Sequence, residues 1–308
     1  MVQKEVLHNC HNWLCCSDIY IYRGKLRSDR DRTTCLWLRL KTIKRGVDMK
    51  SLARYIEKWD DFLRVVAFMS GSGTNLVKII EYQEKLLTKY GRYLYKVVGI
   101  LTDNPSSNAY NIGSKYNISV ETNDISAFYK SKGLPRRDLS AREEFDRISL
   151  EKIAKYQADI IVLAGYMSII TPVIIKKYLT INVHPADLSI KDELGKRKYT
   201  GVHAVRDAIL SGERTISSST HIVEEEVDGG RLLIISRPID VILPDGFNPS
   251  NRDSVRLAEQ LNQNRLKEHG DWIIFPLTLE YIALGYFEVD EKSNLFFKGT
   301  PIPEGLRL

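Results

Sequence analysis

Apolar and polar residues alternate along this chain in blocks of two kinds. Short runs have strand length and β-branched or aromatic content: Arg64 to Met69, Leu94 to Thr102, Ile118 to Val120, Asp159 to Gly165, Thr180 to His184, Ile216 to Val223 and Arg231 to Ile239. Between them lie stretches with helical spacing, from about Asn75 to Tyr90, Asn108 to Tyr116, Ala141 to Tyr156, Ala204 to Leu210 and Arg252 to His269. From Ile160 onward the run to Gly165 is apolar without a break, as in a central parallel strand covered on both faces. Repeats of strand, helix and strand predict a doubly wound, mostly parallel α/β sheet with helices on both faces. Ser51 to Phe62 reads as a capped amphipathic helix, with Leu52, Tyr55, Ile56, Trp59 and Phe62 on one side. Tyr129 to Arg142 is charged, carries Gly133 and Pro135, and reads as loop. Residues 276–308 read as a final helix and a small strand pair, with Asn294 to Phe297 as the tail strand.

Composition changes this picture mainly at the N-terminus. The net charge is +6, yet residues 1–48 hold ten Lys or Arg against five Asp or Glu, a surplus of +5 that leaves +1 for the rest. All the cysteines, Cys10, Cys15, Cys16 and Cys35, fall in the same segment. We therefore divide the chain into a basic, Cys-containing extension (1–48), disordered or not native, and a catalytic domain (49–308). The extension lacks the paired C-x-x-C spacing of zinc modules, so no metal is expected. A body without cysteine excludes a cysteine nucleophile there and suits a reducing cytoplasm. No apolar run of about 18 residues is present, so no membrane span is expected, and the balanced body gives no footprint for nucleic acid.

Candidate chemistry centres on Thr180-Ile-Asn-Val-His-Pro185. Strand side chains repeat with period two, so Asn182 and His184 share a face, and Pro185 ends the ladder. Downstream, Val227-Asp-Gly-Gly230 puts Asp228 on a sharp turn, seven residues after His221. An amide, an imidazole and a carboxylate are the groups needed to hold an oxyanion, carry a proton and orient the carrier. Each has a plainer reading: His184 as a packed histidine, Asp228 as a turn former. Gly71 and Gly73 make a tight turn into a helix N-terminus, where backbone N–H groups favour an anion, though a plain turn fits as well. No Gly-Lys-Ser/Thr follows, so this is not a nucleotide P-loop. Arg265 and Glu268 lie at i and i+3 on the last long helix and so on one face, as a surface ion pair would. In Tyr166 to Pro172, Met167, Ile169 and Ile170 read as core by spacing. His203 reads as a helix-start residue near the pocket.

Together, Asn182-Val-His-Pro185, Ser70-Gly-Ser-Gly-Thr-Asn75, Val162-Leu-Ala-Gly-Tyr-Met167 and His221 with Asp228-Gly-Gly230 resemble, in order and spacing, the phosphoribosylglycinamide formyltransferases of the folate-dependent formyltransferase family, over roughly residues 64–287. The resemblance implies a Rossmann-like fold and formyl transfer from 10-formyltetrahydrofolate to a phosphorylated amine, glycinamide ribonucleotide in purine biosynthesis. It implies that Asn182, His184 and Asp228 are catalytic, with His221 in support. Gly73, Thr74 and Asn75 would hold the acceptor phosphate, with Arg265 on the phosphate and Glu268 on the ribose. Met167, Ser168, Ile169, Ile170 and Val227 would line the folate. The expected partners are thus small molecules, and a homodimer stays open.

The sequence departs from the family in two places. Ser168 stands where members often carry Arg, and Ala186 to Ile190 with the charged stretch Lys191 to Lys198 replaces a Ser-Leu-Leu-Pro run. The second change puts the acceptor in question, leaving as alternatives a sugar-nucleotide amine, water (a formyltetrahydrofolate hydrolase), or a non-catalytic folate- or nucleotide-binding protein.

Overall fold

The structure, a computed structural model, describes residues 50–51 and 62–308. The extension, and all of the expected helix except its two ends, lie outside the described residues. In chain order the elements are β1 (Lys50–Ser51), β2 (Leu63–Met69), α1 (Thr74–Tyr90), β3 (Tyr95–Thr102), α2 (Ala109–Tyr116), β4 (Val120–Thr122), α3 (Ile125–Ser131), α4 (Arg142–Ile153) with a 3-10 turn at Ala154–Tyr156, β5 (Ile160–Leu163), α5 (Pro172–Ile175) and β6 (Leu179–His184). There follow α6 (Ala204–Leu210), β7 (Thr215–Ile216), β8 (Ser219–Ile222), β9 (Leu232–Ile235), β10 (Ile239–Asp240), α7 (Arg252–Leu266), a π-helical segment (Lys267–Asp271), α8 (Trp272–Ala283), β11 (Phe287–Val289), β12 (Leu295–Phe297), β13 (Thr300–Pro301) and β14 (Leu306–Arg307).

Eight strands form the main sheet in the order β14-β9-β8-β6-β5-β2-β3-β4. All neighbouring pairs are parallel except β6 with β8 and β8 with β9. The strand alternation sorts side chains between two layers. Val65, Ala67, Met69, Val97, Ile181 and Val183 pack with Ile79 of α1 and Phe275 and Leu279 of α8. Val66, Phe68, Ile161 and Leu163 pack on the opposite face with Ile153 and Ile174 of α4 and α5. The doubly wound, mostly parallel arrangement is the one that the patterning predicts. The order of the strands reverses at β2, with β3 and β4 added on one side and β5 and β6 on the other, a switch point at whose carboxyl ends open α/β sheets bind ligands.

The turn from β2 into α1 needs glycine at position 73. Its φ is +69°, and a Cβ there would lie 2.5 Å from Ile112 Cδ1 and 2.8 Å from Met69 Cε. No side chain caps α1, so its first N–H groups are left for other partners.

Several boundaries differ from expectation. Ser51 pairs with Glu288 in an antiparallel ribbon. The third expected strand lies two residues later, at β4. The expected loop from Tyr129 holds the end of α3, whose N-cap Asp124 accepts from the N–H groups of Ser126 and Ala127; this cap overrides the charged composition. The run 216–223 splits into β7 and β8, and the run 231–239 ends at Ile235. The long helix expected to reach His269 ends at Leu266 and widens into the π segment, so i, i+3 spacing no longer holds Arg265 and Glu268 on one face.

Phe68 is fully buried and meets the Tyr166 ring edge-on at 5.3 Å, so it supports the loop after β5 as well as the core. Phe68→Ala should destabilise the fold by about 3–5 kcal/mol, read by urea denaturation; a loss below about 1 kcal/mol would contradict this packing.

Candidate active site

Period-two alternation in β6 sends Ile181 and Val183 into the layer of α1 and α8, and Asn182 and His184 to the other side. The antiparallel register then sets Asn182 opposite His221 and His184 opposite Ser219. His221 Nδ1 lies 2.9 Å from the Ile222 carbonyl, to which it donates. In the neutral ring Nε2 is then an acceptor, and the Asn182 amide donates to it across 3.2 Å. Burial pushes the His221 pKa down to about 4, against the pull of the Ile222 carbonyl and the Asp228 carboxylate. A neutral His221 therefore fixes which way the Asn182 amide faces, and the second amide hydrogen of Asn182 is left for a ligand.

Asp228 arrives from the turn after β8, which folds back across the same face. Its φ is +54°, a left-handed conformation that Asp tolerates better than most residues. The turn closes on Gly230, where a Cβ would stand 1.9 Å from the Ile222 carbonyl oxygen, so no larger residue fits. The Asp228 carboxylate is 8% exposed and sits 3.5 Å from His184 Nδ1 and 3.6 Å from His221 Nε2. Neither is a short hydrogen bond; the short partner of Asp228 is the Gly201 N–H, at 2.8 Å. His184 Nε2 lies 3.0 Å from the Tyr199 carbonyl. Both nitrogens of His184 thus face oxygen atoms. Asn182, His184, Asp228 and His221 form one polar cluster, as their types and spacing predict.

The glycine turn is linked to this cluster through Asp271 in the π segment. Asp271 is fully enclosed, with Oδ2 accepting from the Asn75 amide at 3.5 Å and Oδ1 accepting from the Ser218 hydroxyl at 2.5 Å. Ser218 precedes Ser219, the partner of His184. Burial pushes the Asp271 carboxyl up, while Ser218 and Asn75 oppose the shift. Arg265 and Glu268 are not brought together: Arg265 donates to the Asp240 carbonyl at 2.6 Å, and Glu268 is exposed. His203 stands at the N-terminal boundary of α6 without a side-chain cap bond and faces Glu259 at 3.3 Å.

Met167, Ile169 and Val227 are 63%, 43% and 56% exposed. Spacing had put the first two in the core; only Ile170 packs there. Ser168 is also turned inward, its hydroxyl donating to the Asp103 carboxylate. Three large apolar side chains left in water on loops beside a polar cluster suit a flat, partly apolar ligand.

Residues 63–251, well over half the chain, match the family model described as "Formyl transferase". The chain belongs to the formyl transferase family. This formyltransferase is 26% identical over 234 residues to the phosphoribosylglycinamide formyltransferase of Escherichia coli (strain K12), a match that covers 75% of this chain and 92% of that one. It is 28% identical over 233 residues to the trifunctional purine biosynthetic protein adenosine-3 of Chironomus tentans, covering 75% of this chain but only 14% of that one. Among solved structures, the phosphoribosylglycinamide formyltransferase of Coxiella burnetii superposes with a TM-score of 0.60 at 22% identity, over 80% of this chain and 100% of that one. This likeness supports the fold. Among the described residues of the formyltransferase, no helix is long and apolar enough to cross a membrane.

Sequence reasoning missed Tyr199 and Gly201, which act through backbone groups and leave no side-chain signature, and Asp271, whose partners lie 196 and 53 residues away. It also missed Arg197, whose guanidinium donates to the Asp228 and Gly230 carbonyls.

The unfolded chain protonates His221 near 6.5 and the folded enzyme near 4, so between those values the unfolded state binds more protons. This contribution to stability is complete above about pH 6.5 and is lost as the pH falls toward 4. Chemical denaturation from pH 7 to 4 should show a slope that His221→Gln reduces; equal slopes would contradict a neutral, buried His221.

Proposed function

We propose that this formyltransferase moves the formyl group from N10 of 10-formyltetrahydrofolate to a primary amine, that of glycinamide ribonucleotide, in purine biosynthesis. The observation that carries the reading is the convergence of Asn182, His184 and Asp228, with His221 setting the amide. The named activity of the relatives supports the acceptor, as does the uncapped helix after Gly73.

The amine nitrogen attacks the formyl carbon and the carbonyl electrons move onto oxygen. The free amide hydrogen of Asn182 and the His184 imidazolium meet that oxyanion. The tetrahedral intermediate collapses as the bond from carbon to N10 breaks. N10 takes a proton supplied through His184, and the acceptor nitrogen gives one up. The products are a formamide and tetrahydrofolate. Asp228 stabilises the charged imidazole and fixes its orientation. The donor's ring lies against Met167, Ile169 and Val227, with Ser168 and Ile170 shaping the loop from within. The acceptor phosphate takes the N–H groups of Thr74 and Asn75 beyond Gly73. Glu268 reaches the ribose, and Arg265 joins only by leaving the Asp240 carbonyl.

Loss of one oxyanion donor costs on the order of 2.7–4 kcal/mol. Asn182→Ala, His184→Ala and Asp228→Asn should each lower turnover about a hundredfold or more, with melting temperatures near that of the parent. The assay follows tetrahydrofolate release from 10-formyltetrahydrofolate with and without glycinamide ribonucleotide. Release only with the amine supports the proposal. Release without it points to water as acceptor, and full activity in Asn182→Ala and His184→Ala would overturn the assignment.

A further inference from the structure

The stretch after Pro185 that departs from the family pattern folds into a braced hairpin. The Asp192 carboxylate accepts from the N–H groups of Leu194 and Lys196, each at 2.9 Å, and Lys191 bridges to Arg197. The Lys198 N–H closes the base on the Ile190 carbonyl at 3.0 Å. From this frame the half-buried Arg197 reaches the catalytic turn. Its Nη1 donates to the Asp228 carbonyl and its Nη2 to the Gly230 carbonyl, the latter at 2.6 Å.

A guanidinium is a planar fork, and two of its N–H groups can hold two carbonyls two residues apart. An ammonium is a point charge on a flexible stem and cannot hold both with the same geometry. The turn being held has a left-handed residue at its centre, Asp228, a conformation that survives only where the surroundings fix it. Burial pushes the Arg197 guanidinium down, while the carboxylates of Asp228, Glu226 and Glu224 hold it up; an arginine stays charged in such a setting. Two residues further on, the Tyr199 carbonyl meets His184, and two beyond that the Gly201 N–H meets the Asp228 carboxylate. One short span of chain therefore fixes the turn, the imidazole and the acid together.

We propose that Arg197 is a positioning residue for formyl transfer, clamping the Asp228–Gly230 turn so that the carboxylate stands between His184 and His221. The inference rests on the reading of Asp228 given above.

The test uses the full chain with Arg197→Met, Arg197→Lys and, as a control, Asp228→Asn. In Arg197→Met, amide exchange over residues 228–230 should quicken while that of β2 stays slow. Its kcat should fall on the order of 10- to 100-fold with KM for both substrates little changed. Free guanidinium at a non-denaturing concentration should restore part of the lost turnover, and Arg197→Lys should lie between parent and Met variant. Parental exchange and kcat in Arg197→Met would overturn the clamp, as would a loss that guanidinium does not rescue. Should Arg197→Met not fold, Arg197→Lys carries the same measurements, and parental values there count against the clamp. An active Asp228→Asn would sink the reading of the acid itself. An inactive Asp228→Asn beside a normal Arg197→Met would sink only the clamp.

Discussion

The architecture of this formyltransferase turns on giving one carboxylate, Asp228, partners where water barely reaches. An isolated buried carboxylate costs several kcal/mol, and Asp228 avoids that cost through a set of partners supplied by separate parts of the chain. β6 provides His184 and the segment before α6 provides the Gly201 N–H, while the neutral His221 of β8 stands beside the carboxylate with its Nε2 taken by the Asn182 amide. None of these reaches Asp228 unless β6 and β8 run antiparallel in the observed register. A slip of one residue would turn Asn182, His184 and His221 to the opposite layer. The sheet is thus the device that holds the acid in place.

The two imidazoles beside that acid have different duties, set by what their outer nitrogens meet. His221 is fixed as a neutral ring because its Nδ1 is spent on a backbone carbonyl. His184 instead has an oxygen on each side, the Tyr199 carbonyl and the Asp228 carboxylate. Two residues of one type beside the same carboxylate are thereby given different partners.

Much of this was legible in the chain because it is local. The period-two spacing of Asn182 and His184, the glycine pair that permits a sharp turn at Asp228, and the unbroken apolar run of β5 are all short-range patterns, and each has its expected form in the fold. What was hidden is long-range or made of backbone. The Tyr199 carbonyl and the Gly201 N–H carry no sequence code. The inward turn of Ser168 depends on Asp103, 65 residues earlier. Exposure of Met167 and Ile169 escaped spacing arguments because hydrophobicity alone does not separate a core position from an exposed one. The π segment was missed because nothing in Lys267 to Asp271 breaks a helix outright.

That π segment has a thermodynamic consequence. Through Asp271 it joins Asn75, at the mouth of the glycine turn, to Ser218, next to the strand partner of His184. A bound anion that draws the Asn75 amide away from Asp271 leaves a buried carboxylate with one partner fewer, and the Ser218 contact must tighten or shift in response. By linkage, whatever free energy the anion exerts on the His184 end, a molecule seated at the His184 end exerts on the anion. Ligands that engaged both ends of this connection would then not bind independently.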